Sequence, residues 1–276
     1  MSGAGNDFIL FDTKINPGLS LSADGIKRIC ARRTGIGADG VIFISDDEKL
    51  NYRMRYFNAD GSTGSLCANG ARCSLYYAKN SGRMKENYAD FECNGFLYSG
   101  ETLENGKVRF NLNKPKDIKS RFKIKAGGQL ITASYADTGS PHTVILINDI
   151  SINPADPKKV YENINDVPVF ELGREIRNHP DFSPAGTNVM FIDISGKEIK
   201  IRSYERGVED ETLACGTGSV AAAVIAFLNY NFKPPIELLT KSGDILTVDF
   251  NLQDKEFDKI SLTGPAEVTF NGEIYI

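Results

Sequence analysis

Two stretches decide how this chain is read: Phe57-Asn58-Ala59-Asp60-Gly61-Ser62-Thr63-Gly64-Ser65-Leu66-Cys67-Ala68-Asn69-Gly70, and Tyr204-Glu205-Arg206-Gly207-Val208-Glu209-Asp210-Glu211-Thr212-Leu213-Ala214-Cys215-Gly216-Thr217-Gly218. Each runs from an aromatic and a polar residue through a glycine turn to a cysteine that opens a helical stretch. Asn58 and Cys67 are nine positions apart, Glu205 and Cys215 ten, and the two cysteines 148 (67 to 215), close to half of the 276 residues. A duplicated domain gives this spacing. Two similar halves meeting face to face are expected to bring both cysteines to one interface.

Outward from the cysteines, Val41–Ser45 (VIFIS) reads as a buried strand and Tyr52–Phe57 (YRMRYF) as a strand with mixed facing. Asn94-Gly95, Asn105-Gly106, Ser195-Gly196 and Asn271-Gly272 sit between apolar or β-branched runs and predict hairpin turns with positive φ. Helical periodicity is confined to Ser22–Arg33, Asn69–Lys79, Gly218–Tyr230 and, more weakly, Asp166–Arg177. Frequent hairpins with few helices predict an α+β (α/β) class rather than regular βαβ alternation. The polar stretch Asn113–Lys119 (NKPKDIK) is the expected boundary between two domains, 1–117 and 118–262.

Composition removes several classes. With 41% hydrophobic and 25% charged residues the chain is neither disordered nor fibrous, and its length suits two domains of about 140 residues. Thirty-two basic against thirty-six acidic residues give a net charge of -4, so no dominant phosphate-binding surface is expected and nucleic acid is not an expected partner. The longest apolar run, Val220–Leu228, is too short to cross a bilayer, and no charged-then-apolar leader opens the chain, so a cytoplasmic protein without membrane contact is expected. Five scattered cysteines are expected to be free thiols.

A cysteine at a helix N-terminus meets the positive end of the macrodipole and unpaired N–H groups, so its pKa is expected to fall below about 8.5. Ala68 and Gly70, like Gly216 and Gly218, are small enough to let a ligand approach the amides, which suit a carboxylate. Two such helix ends gripping one carboxylate would place a sulfur on each face of the adjacent carbon. A proton could then leave on one side and return on the other, while the amides stabilise the charge that spreads into the carboxylate.

The blocks GAGNDF (Gly3–Phe8), FNADGS through CANGARC (Phe57–Cys73), GSPH (Gly139–His142), GTNVMF (Gly186–Phe191), YERG (Tyr204–Gly207) and ETLACGTG (Glu211–Gly218) follow in order along the chain, and together they resemble diaminopimelate epimerases. The resemblance implies a cofactor-independent isomerase that interconverts LL- and meso-diaminopimelate for lysine and peptidoglycan synthesis. It also implies two similar domains related by a pseudo-two-fold axis, each a mixed, mostly antiparallel sheet wrapped on a central helix, with the active site in the cleft between them. Residues 263–276 would return to the first domain. Position by position, Cys67 and Cys215 match the acid/base pair, with His142 and Glu205 assisting. Ala68, Asn69, Gly70, Ser140, Gly216 and Thr217 fall around the reacting carboxylate; Asn6, Asn58, Asn188, Glu205 and Arg206 match groups that read the far amino acid centre. A substrate with two ionised ends suits Arg206 for a carboxylate and Glu205 for an ammonium. Four departures stand out: Ala68 where glycine is common, Ser140 where asparagine is usual, Gly40 where some members have glutamine, and a Val208–Glu211 stretch one residue longer.

Each of these residues also has a plainer reading. Cys30, Cys73 and Cys93 read as core, His179 as a loop residue, and His142 as either structural or functional. Asn58, Asn69 and Asn188 could be turn formers and Arg206 a surface ion pair. Two histidines without CxxC or HExxH spacing predict no metal site, and neither a P-loop nor a Rossmann fingerprint is present. No cofactor is expected; the expected partner is a small-molecule amino acid, with a homodimer left open. Two other functions stay open: a proline or hydroxyproline racemase of the same fold, and a non-catalytic amino acid binding or dithiol redox protein.

Overall fold

Gly216–Tyr230 contains no charged residue, and from Gly218 to Ala226 every residue is buried. A helix apolar on all sides needs a partner surface on all sides. In the computed structural model, which describes residues 1–276 except Ser65, Gly196, Lys197, Lys255 and Ile276, this stretch is the central helix of one of two compact units. The first unit comprises Met1–Asn111 and Thr263–Ile276, the second Leu112–Leu262.

The first unit contains β1 (Ser2–Gly3), β2 (Asn6–Asp12), α1 (Ala23–Cys30), β3 (Gly40–Ser45), β4 (Tyr52–Asn58), α2 (Ala68–Asn80), β5 (Tyr88–Cys93), β6 (Phe96–Thr102) and β7 (Val108–Asn111). Its strands lie side by side in chain order. The ladders β2–β3 and β4–β5 are parallel; β1–β2, β3–β4, β5–β6 and β6–β7 are antiparallel. Helix α2 packs against β1, β2, β3, β4, β6 and β7. Helix α1 starts at Ser22, whose hydroxyl accepts the Gly25 N–H, and it buries Ile26, Ile29 and Cys30 on one face. Ser2 and Glu267 exchange two backbone hydrogen bonds of 2.9 Å, tying the C-terminal segment to this unit.

The second unit contains β8 (Lys116–Ala126), β9 (Gln129–Asp137), β10 (Pro141–Leu146), a side hairpin of β11 (Ser151–Asn153) and β12 (Asp156–Val160), α3 (Val169–Arg177), β13 (Asn188–Asp193), β14 (Ile199–Glu205), β15 (Asp210–Thr212), α4 (Gly216–Tyr230), β16 (Ile236–Leu239), β17 (Ile245–Gln253) and β18 (Glu256–Gly264), whose last two residues belong to the first unit. Here β10–β13 and β14–β16 are parallel, while β8–β9, β9–β10, β13–β14 and β16–β17 are antiparallel. Helix α4 packs on β8, β9, β10, β13, β16 and β17.

The duplication read from the cysteines extends to the topology. The run β2–α1–β3–β4–α2–β5–β6 and the run β10–α3–β13–β14–α4–β16–β17 share the same sequence of parallel and antiparallel steps. In both, a helix opened by a cysteine bridges two parallel strands. Such a crossover requires a connection long enough for a helix.

The division between the two units falls at Asn111–Leu112, just ahead of the expected stretch Asn113–Lys119, and β8 begins at Lys116. One expected hairpin turn does not form, and one that forms lies outside the expected set. The dipeptide Asn94-Gly95 does form the β5–β6 turn, both residues at positive φ (52° and 86°), but Asn271-Gly272 forms no hairpin. Residues 268–275 carry no strand, and a turn dipeptide makes a hairpin only where both flanking runs pair. The Gly127-Gly128 turn joining β8 to β9, at φ 57° and 69°, was not anticipated. The expected Ser195-Gly196 turn falls partly outside the described residues, although the strands on either side, β13 and β14, pair.

Candidate active site

In the first unit the chain leaves β4 at Asn58 and turns at once. The Asn58 N–H donates to the Ser62 carbonyl at 2.9 Å, and the Asn58 side chain donates to the Ser62 hydroxyl at 3.0 Å. Cys67 then caps α2 in extended geometry (φ -87°, ψ 120°), its carbonyl accepting the Ala71 N–H at 2.8 Å. The half-buried thiol donates to Asn6 Oδ1 at 3.4 Å, and the buried Asn69 side chain donates to the same oxygen at 3.4 Å. The Asn6 amide nitrogen in turn donates to Asp39 Oδ2. Arg32 closes the chain of contacts: its guanidinium bonds Asp7 at 2.8 and 3.0 Å and Asp39 at 2.9 Å.

In the second unit β14 ends at Glu205, β15 folds back on it, and Thr212 donates its hydroxyl proton to Glu205. Cys215 caps α4, its sulfur accepting the Gly218 N–H at 3.4 Å and lying 3.8 Å from the Thr217 hydroxyl. That hydroxyl is 3.0 Å from Nε2 of His142, which is also 3.0 Å from the Ser140 hydroxyl. Thr138 donates to the Thr217 carbonyl at 2.8 Å. His142 is fully buried, and its Nδ1 has no hydrogen-bond partner among the described residues. Asn188 spends both ends of its amide on backbone: it donates to the Pro141 carbonyl at 2.8 Å and accepts the Arg206 N–H at 2.9 Å. The Arg206 side chain donates to the Ala185 carbonyl at 3.3 Å.

The electrostatics of Cys215 reverse the sequence expectation. Burial drives its thiol well above its ordinary value, and the neighbouring Glu205 carboxylate adds to this by charge and by accepting a hydrogen bond. The Gly218 N–H and the Thr217 hydroxyl act in the opposite sense but are outweighed. The helix end favours the thiolate as expected; the fold removes the water that would have let that influence dominate. Burial, reinforced by the Arg206 charge, drives the His142 imidazole down to about 3, so it is neutral at physiological pH. The core cysteines also titrate high for want of water: Cys30 at about 11, Cys73 and Cys93 at about 12.

Gly70 and Gly218 are in close contact with neighbouring side chains. A Cβ on Gly70 would point at Phe8 and Ile42, into the core. On Gly218 it would run into Met190 Sδ and come within 3.0 Å of Cys215 Sγ, so this glycine is what lets α4 sit on β13 with its cysteine cap in place. Among the described residues no group of three or more His, Cys, Asp or Glu side chains is placed to share a metal ion. Sequence reasoning missed Asp39, Arg32, Thr212, Thr138 and Met190. Asp39 offered only the segment GIGADG, which resembles a glycine-rich loop but has the wrong spacing for one.

The sequence profile of the diaminopimelate epimerase family matches residues 1–117 and 134–269. The chain belongs to the diaminopimelate epimerase family. It is 39% identical to the diaminopimelate epimerase of Chlorobaculum tepidum, over 99% of both chains, and 36% identical to that of Aquifex aeolicus, over 99% of this chain and 96% of the relative. Among solved structures it resembles a phenazine biosynthesis protein of the PhzF family from Bacillus anthracis (TM-score 0.68, 14% identity, 96% of this chain and 92% of that one). It also resembles a hydroxyproline epimerase from Agrobacterium vitis (TM-score 0.62, 16% identity, 87% and 77%). These likenesses fix the fold, a mixed, sheet-dominated α+β architecture. Two departures from the diaminopimelate epimerase pattern now have surroundings: Ala68 is buried in the first turn of α2 with its carbonyl facing Arg72 at 3.5 Å, and Ser140 bonds His142. No helix among the described residues is long and apolar enough to cross a membrane.

Proposed function

We propose that the chain is a cofactor-independent epimerase that interconverts LL- and meso-diaminopimelate, with Cys67 and Cys215 as the two acid/base groups. The observation that carries this is the repeated N-cap cysteine: in a chain of this family, each unit opens its central helix with a cysteine whose sulfur meets a polar partner, Asn6 in one and Glu205 in the other. The geometry supports unequal roles. Glu205 can take the Cys215 proton, and the resulting thiolate is stabilised by the Gly218 N–H and the Thr217 hydroxyl. That thiolate removes the α-proton; the C–H electron pair passes into the carbanion stabilised through the carboxylate; and Cys67 delivers its thiol proton to the opposite face. The N-terminal amides of α2 and α4 suit the carboxylate as charge develops on it. His142 acts through Thr217 rather than on sulfur. Because Asn6 and Glu205 stand against the thiols, we assign the far carboxylate to Arg206.

We place the protein in the cytoplasm, with a small amino acid as its partner and neither nucleic acid nor membrane among its ligands; the net charge of -4 and five free thiols support this. The test is conversion of LL-diaminopimelate to the meso isomer by purified protein with nothing added, followed by chiral chromatography beside L-proline. Conversion of diaminopimelate alone supports the assignment; racemisation of proline alone replaces it with the proline-type reaction, and turnover of neither removes both.

A further inference from the structure

Asn6 links the Cys67 sulfur to a charged cluster formed from three separate parts of the first unit. Asp39, at the entry to β3, accepts the Asn6 amide proton and, at 3.3 Å, the Asp7 N–H; Arg32, after α1, bonds its other oxygen at 2.9 Å. A carboxylate held by a guanidinium can only accept hydrogen bonds. Asn6 therefore has to turn its NH2 toward Asp39, and its carbonyl oxygen is left facing Cys67 Sγ and Asn69 Nδ2, each at 3.4 Å. With the amide reversed, two oxygens without a proton would face each other at Asp39, and an N–H would point at the sulfur.

We propose that Asp39, held by Arg32, is a positioning residue that fixes the orientation of the Asn6 amide and thereby keeps Cys67 in its protonated, proton-donating form. An acceptor beside a thiol bonds the S–H and has nothing to offer the thiolate, so it favours the neutral state. The consequence for catalysis rests on the proposed acid/base role of Cys67; the effect on the thiol itself does not. Of the other charged or titratable groups, Asp7 from β2 acts by charge on Asp39, while Arg72, the Met1 amino group and Glu267 act on Cys73, whose thiol also feels that of Cys67. Among the described residues none of these is hydrogen-bonded to the Asn6 side-chain nitrogen, which donates to Asp39.

The test is the pH dependence of Cys67 alkylation by iodoacetamide in the full-length protein, read by peptide mass mapping. Asp39→Asn lets residue 39 offer either an oxygen or an NH2, so Asn6 can turn its N–H toward the sulfur. The alkylation midpoint of Cys67 is expected to fall by about one pH unit, roughly a tenfold gain in thiolate below the midpoint. Asp7→Asn removes a carboxylate from the same guanidinium without touching the Asn6 amide and is expected to leave the midpoint near wild type. Should Asp39→Asn not fold, Asn6→Ala removes the acceptor itself and is expected to lower the midpoint in the same direction. An unchanged midpoint in the folded variant, or equal shifts in Asp39→Asn and Asp7→Asn, overturns the positioning role. Because alkylation needs no turnover, a protein that shifts as expected but does not epimerise diaminopimelate would refute the proposed function and leave this inference standing.

Discussion

The Nε2 atom of His142 lies 3.0 Å from the hydroxyl of Thr217, which in turn lies 3.8 Å from the sulfur of Cys215. The imidazole thus reaches the thiol through one intervening hydroxyl, and its other nitrogen is buried without a partner among the described residues. A group in that position is expensive to protonate. Its folded pKa of about 3 lies below the unfolded value of about 6.5, so the neutral form stabilises the protein above pH 6.5, and this contribution is lost as the pH falls toward 3. His142→Asn should therefore flatten the dependence of unfolding free energy on pH between 6.5 and 3, measured by urea denaturation. An unchanged slope would show that the imidazole charges without resistance.

Gly218 should not tolerate a methyl group. Gly218→Ala is expected to cost about 1–3 kcal/mol by overpacking against Met190 and to displace the Cys215 cap. Adding Met190→Ala should recover part of that loss, so the thermal or urea double-mutant cycle should show coupling. Strict additivity would mean that the helix moves away instead.

The pair Asp12–Arg83 holds β2 to the segment that follows α2. Both side chains are nearly inaccessible (4% and 6%), and Asp12 accepts from Arg83 at 2.7 and 2.8 Å and from the Tyr77 hydroxyl at 2.9 Å. Burial alone would lift the Asp12 carboxyl, but the hydrogen bonds from Arg83, Lys14 and Tyr77, with the Arg83 charge, hold it below its ordinary value. Its contribution is therefore full above the unfolded carboxyl value of about 3.9 and is lost as the pH falls through the lower folded value. Asp12→Ala should cost about 1–3 kcal/mol at pH 7 in urea unfolding: the Arg83 guanidinium loses its two bonds to Asp12 but keeps Asp46 at 2.8 Å and the Ser81 hydroxyl at 3.0 Å. A loss below about 1 kcal/mol would mean that water replaces the carboxylate.

Cys67→Ala and Cys215→Ala should each lower the rate of epimerisation by roughly 10²- to 10⁴-fold or more, the usual worth of a positioned acid or base, with little change in melting temperature. Near wild-type turnover in either variant would remove that sulfur from the reaction.

Much of the architecture was legible because local patterns carry it. The apolar run of α4 has no stable alternative to burial, the Ser22 cap and the spacing of Ile26, Ile29 and Cys30 announce α1, and the two cysteines mark equivalent helix starts by position alone. Asn271-Gly272 misled because a turn signal says nothing about whether a partner strand is available. The contacts that set proton affinity were not legible. Asn6 and Asp39 are 33 residues apart and obey no period, and the rise of the Cys215 thiol comes from burial and from Glu205, which only the folded chain brings together. Glycine likewise looks the same in sequence whether it admits a ligand or, as at Gly218, a methionine side chain.

The most direct test of two-thiol catalysis is the fate of the α-hydrogen early in the reaction of LL-diaminopimelate in deuterium oxide, followed by mass spectrometry of both isomers. Removal by one group and return by another predicts deuterium in the meso product while unconverted LL substrate still carries protium. Meso product that retains the original hydrogen, or no exchange into either isomer, would contradict it.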